Sequence, residues 1–131
     1  MQPPRLRIYP FETHLAEKLH AYTLPRDGPN SRSKDLYDMA LMSTSQRVDS
    51  RQLRAAIAQT FDARGTHRAP DELPAPPSAW ASSYDNEQVE FELPWRSLEL
   101  CHQRAADFIT PVLVAVEPSN WNPDEGRWEP G

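Results

Sequence analysis

A chain of 131 residues with 38% hydrophobic side chains supports one domain with a modest core, and no run of about 18 apolar residues offers a membrane span. Fourteen prolines against four glycines argue for rigid loops between short helices and against a strand-rich sandwich. The net charge of −5 argues against a general nucleic-acid binder, and Cys101, the single cysteine, excludes an internal disulfide.

In chain order, "RLRIYP" alternates through Arg5, Leu6, Arg7, Ile8 and Tyr9 as a short strand ended by Pro10. A single strand needs a neighbour for its backbone groups, so a partner is expected on the N-terminal side. In "FETHLAEKLHAYTLPR", Phe11, Leu15, Leu19 and Tyr22 recur at helical spacing, and Pro25 stops the helix. "DGPNSRS" is a turn in which Asn30 or Ser31 can cap the next helix. That helix runs through "SKDLYDMALMST", with Leu36, Tyr37, Ala40 and Leu41 as its apolar side.

A third helix follows Asp49 or Ser50 as cap, carries Leu53, Ala56, Ile57 and Phe61 on one stripe, and ends at Gly65. "HRAPDELPAPPS" reads as a proline-rich connector laid over the surface. Trp80, Tyr84 and Phe91 follow at loose helical spacing, broken at Pro94. The clearest pattern is the last helix, through Leu98, Cys101, Ala105, Phe108 and Val112, where Pro111 predicts a kink near Asp107. The tail "VEPSNWNPDEGRWEPG" sets Trp121 and Trp128 among turn residues, and burial energy favours their folding back onto the domain. The expected fold is mainly α, a helical domain with one short N-terminal strand. Residues 1–68 hold the charged motifs, and residues 69–131 supply the connector, later helices and tryptophan tail of the same domain.

The charge is uneven. Residues 1–68 carry 11 basic and 7 acidic side chains, a net of +4, against 3 and 12, a net of −9, in residues 69–131. The first part is therefore locally basic, as a phosphate site needs, although two halves of opposite charge can also simply attract each other. The N-terminus lacks an apolar leader, and together with the cysteine usage this sets the expectation of a soluble, cytoplasmic protein.

The stretch "SRSKDLYD" concentrates the candidate chemistry. On an ideal helix Asp35 and Asp38 lie about 60° apart, both directed away from the Leu36/Ala40 stripe. Lys34 and Asp38 form an i,i+4 pair, and Arg32 and Asp35 an i,i+3 pair. Carboxylates near a helix N-terminus also suit its dipole, and the two cations neutralise them, so a solvated helix start is the better explanation of the stretch taken alone. Lys18 shares the face of Phe11, Leu15 and Tyr22. It is either a snorkelling edge residue or an amine projecting from a partly dry wall toward a phosphate. Arg26 and Arg32 could add phosphate contacts. His14, His20, His67, His102 and Cys101 show no zinc spacing, and no glycine-rich phosphate loop is present. His67 reads as a capping or packing residue of its loop.

"YPFETHLAEKLHAYTLPR" followed by "NSRSKDLYDMALM" resembles the C-terminal part of the nucleotidyltransferase AbiEii/AbiGii toxin family, whose members join a DNA-polymerase-β-like fold to a helical domain. Lys18, Thr23 and Arg26 match a K-x4-[ST] motif with a nearby arginine. Arg32, Lys34, Asp35 and Asp38 match R-x-K-D-x-x-D without a gap. "TFDARGTHRAPDELPAPPSAW" and the W-N-P…W ending look like the variable tail of many members.

The resemblance implies that Lys18 holds the triphosphate of an incoming nucleotide and that Asp35 is the catalytic acid group, either a base or an orienter of the lysine. Thr23, Arg26, Arg32, Lys34 and Asp38 would frame the nucleotide. It further implies nucleotide transfer to an acceptor, tRNA 3′ ends for some members, in a toxin–antitoxin or phage-defence setting. The family's D-x-D carboxylates, which hold magnesium, have no counterpart in these 131 residues. The expectation is thus a C-terminal portion that is inactive alone, with the magnesium ligands outside this chain. The alternatives are a non-catalytic helical module binding an antitoxin, nucleotide or RNA, and a helical domain whose charges serve solubility alone. An amine and an acid that share one triphosphate should converge in space.

Overall fold

Among the described residues, the apolar spacings resolve into five α-helices, α1 (Phe11–Thr23), α2 (Ser33–Met42), α3 (Ser50–Arg64), α4 (Ala81–Glu90) and α5 (Leu98–Leu113). The structure, a computed structural model, describes residues 10–25, 33–114 and 117–130. The expected strand at "RLRIYP", Arg26, Arg32 and the proposed caps Asn30 and Ser31 lie outside the described residues. Among the described residues the fold is mainly α, as expected.

Local chemistry explains the helix ends. Asp49 caps α3 by accepting from the Arg51 N–H at 2.8 Å, and Gly65, at φ +60, closes it with its N–H on the Phe61 carbonyl. Ser97 caps α5 by accepting from Leu100 N–H at 3.1 Å. Pro111 sits in the last turn of α5, where its missing N–H frees the Asp107 carbonyl and the helix runs only to Leu113. Arg54 Nη1 then takes the carbonyls of Val112 and Val114, at 3.0 and 2.8 Å, tying that end to α3.

The core gathers the predicted stripes of α3 and α5 against Leu15 and Leu19 of α1 and Leu36, Met39 and Ala40 of α2. α2 lies between α1 and α5. Two expected apolar positions turn outward, Leu41 at 36% exposure and Phe91 at 53%. Met39 is buried where the reading of α2 left it out, because a helix flanked on two sides buries more than one stripe.

The connector has no regular structure over residues 65–77 but is tied down. Tyr22 O–H donates to the Pro74 carbonyl at 2.7 Å, and Leu73 N–H donates to Thr110 Oγ1 at 3.0 Å. Leu73 is buried. The tail forms structure the sequence reading lacked. β1 (Val48–Asp49), β2 (Ser119–Asn122) and β3 (Arg127–Pro130) make an antiparallel sheet in that order, with Val48 opposite Trp121 and Trp121 opposite Trp128.

Asn122 Oδ1 accepts from Asp124 and Glu125 N–H at 3.0 Å each, which folds the turn between β2 and β3. Gly126 closes it at φ +68, where a Cβ would collide with the Arg104 guanidinium. Both tryptophans do fold back. Trp121 is fully buried, and Trp128 Nε1 donates to the Phe108 carbonyl at 2.9 Å.

Candidate functional site

α1 and α2 pack side by side, so the Lys18 face of one meets the Asp35/Asp38 face of the other. Lys18 Nζ donates to Asp38 Oδ2 at 2.8 Å and lies 3.9 Å from Asp35 Oδ1. Lys34 Nζ donates to the same Asp38 oxygen, also at 2.8 Å. The amine and the acid expected to converge are therefore in one cluster, with Asp38 rather than Asp35 as the nearer partner of Lys18.

Asp35 departs from the helical-wheel reading, which turned it away from the core. Its side chain is only 8% exposed, against 20% for Asp38 and 66% for Lys34. The reason is again the position of α2 between two helices, which leaves its first turn little open surface. Burial opposes ionisation of Asp38, but hydrogen bonds from Lys18 and Lys34 outweigh it and hold the carboxyl below its ordinary value. Chiefly the hydrogen bond to Asp38 raises Lys34.

Two recesses flank Lys18. One, about 360 Å³, is lined by Glu17, Lys18, His20, Leu24, Asp35 and Arg64. The other, about 380 Å³, is lined by His14, Lys18, Lys34, Asp38, Leu41 and Met42. A larger recess of about 570 Å³ lies past the end of α3, around Phe61, Gly65 and His67, away from the lysine cluster.

Thr23 does not join the lysine cluster. Its Oγ1 donates to the Leu19 carbonyl at 2.9 Å and meets His67 Nε2 at 2.8 Å. His67 Nδ1 meets Thr66 Oγ1 at 2.9 Å, and His20 Nε2 meets the same oxygen at 2.7 Å. With both rings neutral, the hydrogen-bond roles follow from the far end. The single Thr23 hydrogen is used on a carbonyl, so Thr23 accepts from His67 Nε2–H. Thr66 then donates to His67 Nδ1 and accepts from His20 Nε2–H. This chain fastens the end of α1 to the loop after α3, so His67 takes the packing role of the two expected for it, against His20 and Phe61, and His20 joins the same network.

Burial first, then the neighbouring His67 and Arg64, lowers His20 below its ordinary value, with Glu17 opposing. The unfolded chain therefore binds the proton more readily. The stabilisation is fully present above the unfolded value, about pH 6.5, and is lost as pH falls through the lower folded value. Thermal melts should show a falling midpoint on acidification from about pH 6.5. His20→Gln, which keeps a donor toward Thr66 but cannot titrate, should flatten that slope. An unchanged slope in the variant would remove His20 from the acid response.

Sequence reasoning also missed Glu17, Arg64 and Glu87. Glu87 of α4 accepts from Ser33 Oγ at 2.9 Å at the N-terminal end of α2, where a carboxylate suits the dipole. Arg64 donates through Nε and Nη2 to Glu17 Oε1 at 3.2 and 2.7 Å. No spacing within one helix signals either contact, because each joins elements distant in sequence.

Among the described residues, no group of three or more His, Cys, Asp or Glu side chains is placed to hold a metal ion. Asp38 is engaged by two ammonium groups and Asp35 lies beside one, a charge arrangement that repels a divalent cation. The described residues do not fit the magnesium ions that the resemblance implies. Among them, too, no helix is long and apolar enough to cross a membrane.

The family model for the nucleotidyl transferase AbiEii toxin of type IV toxin–antitoxin systems matches residues 1–109. No curated protein and no solved structure matches the chain.

Proposed function

Because the chain belongs to the AbiEii nucleotidyl transferase toxin family of type IV toxin–antitoxin systems, we propose that its Lys18 cluster binds the triphosphate of an incoming nucleotide. The chain would form one wall of a site that transfers a nucleotide from a nucleoside triphosphate to an acceptor such as tRNA. One observation carries this reading: Lys18 and Lys34, from two helices, point their amines at a single oxygen of Asp38. That carboxylate occupies the place a phosphate oxygen would take, so an entering polyphosphate finds two cations already gathered. Asp35 then positions Lys18 or accepts a proton, and Arg26 and Arg32 extend the nucleotide contacts along the family pattern, with Thr23 joining them only if it leaves its bonds to the Leu19 carbonyl and His67. The setting is cytoplasmic, with an antitoxin protein as partner and phage defence as one role.

Alone, this chain transfers nothing in this proposal. Its sequence contains no D-x-D pair, and losing metal coordination costs several kcal/mol of transition-state stabilisation. The test incubates the purified chain with labelled nucleoside triphosphates, magnesium and tRNA. The expected result is nucleotide binding without label on RNA. Label on RNA would overturn the inactivity, and absence of binding would overturn the phosphate role. Adding a polymerase-like half in trans, if a neighbouring reading frame encodes one, should restore transfer.

A second reading, a non-catalytic helical module that binds an antitoxin, nucleotide or RNA, is favoured by the same cluster seen differently. Two ammonium groups and two carboxylates already balance within the chain.

A further inference from the structure

We propose that Arg64 is a further cation of the polyphosphate site, added to Lys18 and Lys34 and facing the same recess as Lys18; this rests on the phosphate role given to Lys18 above. The two residues reach the recess from different helices, Lys18 from the middle of α1 and Arg64 from the last residue of α3. The position of Arg64 is set by its helix end, because Gly65 turns left-handed immediately after it and closes onto the Phe61 carbonyl.

Among the described residues, the guanidinium is anchored on one edge. Nε and Nη2 both donate to Glu17 Oε1, which occupies two of its five N–H donors. The side chain is 54% exposed, so the remaining donors are accessible to a ligand. Unlike Lys18, Arg64 lies outside the Asp35/Asp38 cluster; among the described residues its ion pair is with Glu17, itself 35% exposed. A planar fork held at one edge and open at the other suits the paired oxygens of a phosphate group.

The ligand class is a polyphosphate, because a chain of phosphates offers oxygens to both Lys18 and Arg64, which line one recess from two helices.

The experiment is calorimetric titration of the full chain with inorganic tripolyphosphate. Arg64→Gln should weaken binding by about tenfold or more. Glu17→Gln breaks the same ion pair but leaves the cation, and should bind as tightly as the unsubstituted chain or more tightly. Arg64→Lys, which keeps the charge without the fork, should fall between. If Arg64→Gln and Glu17→Gln weaken binding equally, Arg64 serves only to bridge α1 and α3 and the inference fails. If Arg64→Gln binds like the unsubstituted chain, the inference fails while the role of Lys18 stands. If the unsubstituted chain does not bind tripolyphosphate, both fail together. Exposed ion pairs add little to stability, so thermal melts of all three variants should stay near that of the unsubstituted chain.

Discussion

Trp121→Ala should destabilise the protein by about 3–5 kcal/mol, the largest loss expected from any single side chain here. The indole is fully buried, with Phe108 at 4.7 Å and Trp128 at 5.4 Å between ring centroids. The Arg104 guanidinium lies 5.4 Å from its ring centre, and its Nε1–H donates to the Ser43 carbonyl at 2.7 Å. Truncation opens a cavity, strips that carbonyl of its best donor and removes the face on which Arg104 rests.

Arg104 in turn holds Ser43 Oγ at 2.7 Å and the Pro123 carbonyl at 2.8 Å, so the loss reaches both the end of α2 and the β2–β3 turn. For a chain of this size the melting midpoint should fall by roughly 10–20 °C. Trp121→Phe keeps a ring but not the donor and should cost about 1–2 kcal/mol. Urea melts followed by near-ultraviolet circular dichroism measure both. A loss under about 1 kcal/mol for the alanine variant would mean that the hairpin is not docked on α5 as described.

The hairpin also shows where sequence reading stopped. Its strands are four residues long and β1 only two, too short for alternation to stand out from noise. The available signal is turn chemistry, Asn-Pro-Asp-Glu-Gly between two tryptophans, which marks the turn but not the strands beside it. By contrast, α3 and α5 are legible because each shows a buried stripe and a solvated opposite face, and Asp49 and Gly65 mark the ends of α3 chemically.

α2 was half legible. Its apolar stripe gave the helix, but burial of Asp35 depends on α1 and α5 flanking it, a tertiary fact that no wheel contains. The Lys34–Asp38 pair could be read from its i,i+4 spacing, whereas Arg64–Glu17 joins residues 47 apart and could not. The charge asymmetry was readable but its consequence was not. Among the described residues, the ion pairs of Lys18, Lys34, Arg51 and Arg64 all close within residues 1–68, and only Arg47–Glu129 reaches into the acidic part.

Lys18→Met should separate a ligand-binding role for the cluster from a structural one. Its amine lies 3.9 Å from Asp35 and is one of two on Asp38, with both Lys18 and Asp38 about a fifth exposed. That places the cost between an exposed pair and a buried one, about 1–3 kcal/mol. The depressed carboxyl of Asp38 contributes stability that is fully present above its unfolded value, about pH 4, and is lost as pH falls through the folded value. With one amine gone that depression shrinks, so the acid limb of stability below about pH 4 should flatten in urea melts.

Nucleotide binding carries the decisive sign. If Lys18 serves phosphate, Lys18→Met weakens nucleoside triphosphate binding by about tenfold or more. Asp38→Asn, which removes the carboxylate competing for the amines, should leave binding unchanged or strengthen it despite its own loss of stability. A purely structural cluster predicts the opposite pattern: both substitutions lower stability, their double-mutant cycle shows coupling of about 0.5–3 kcal/mol, and calorimetry with nucleoside triphosphates reads the same for every variant.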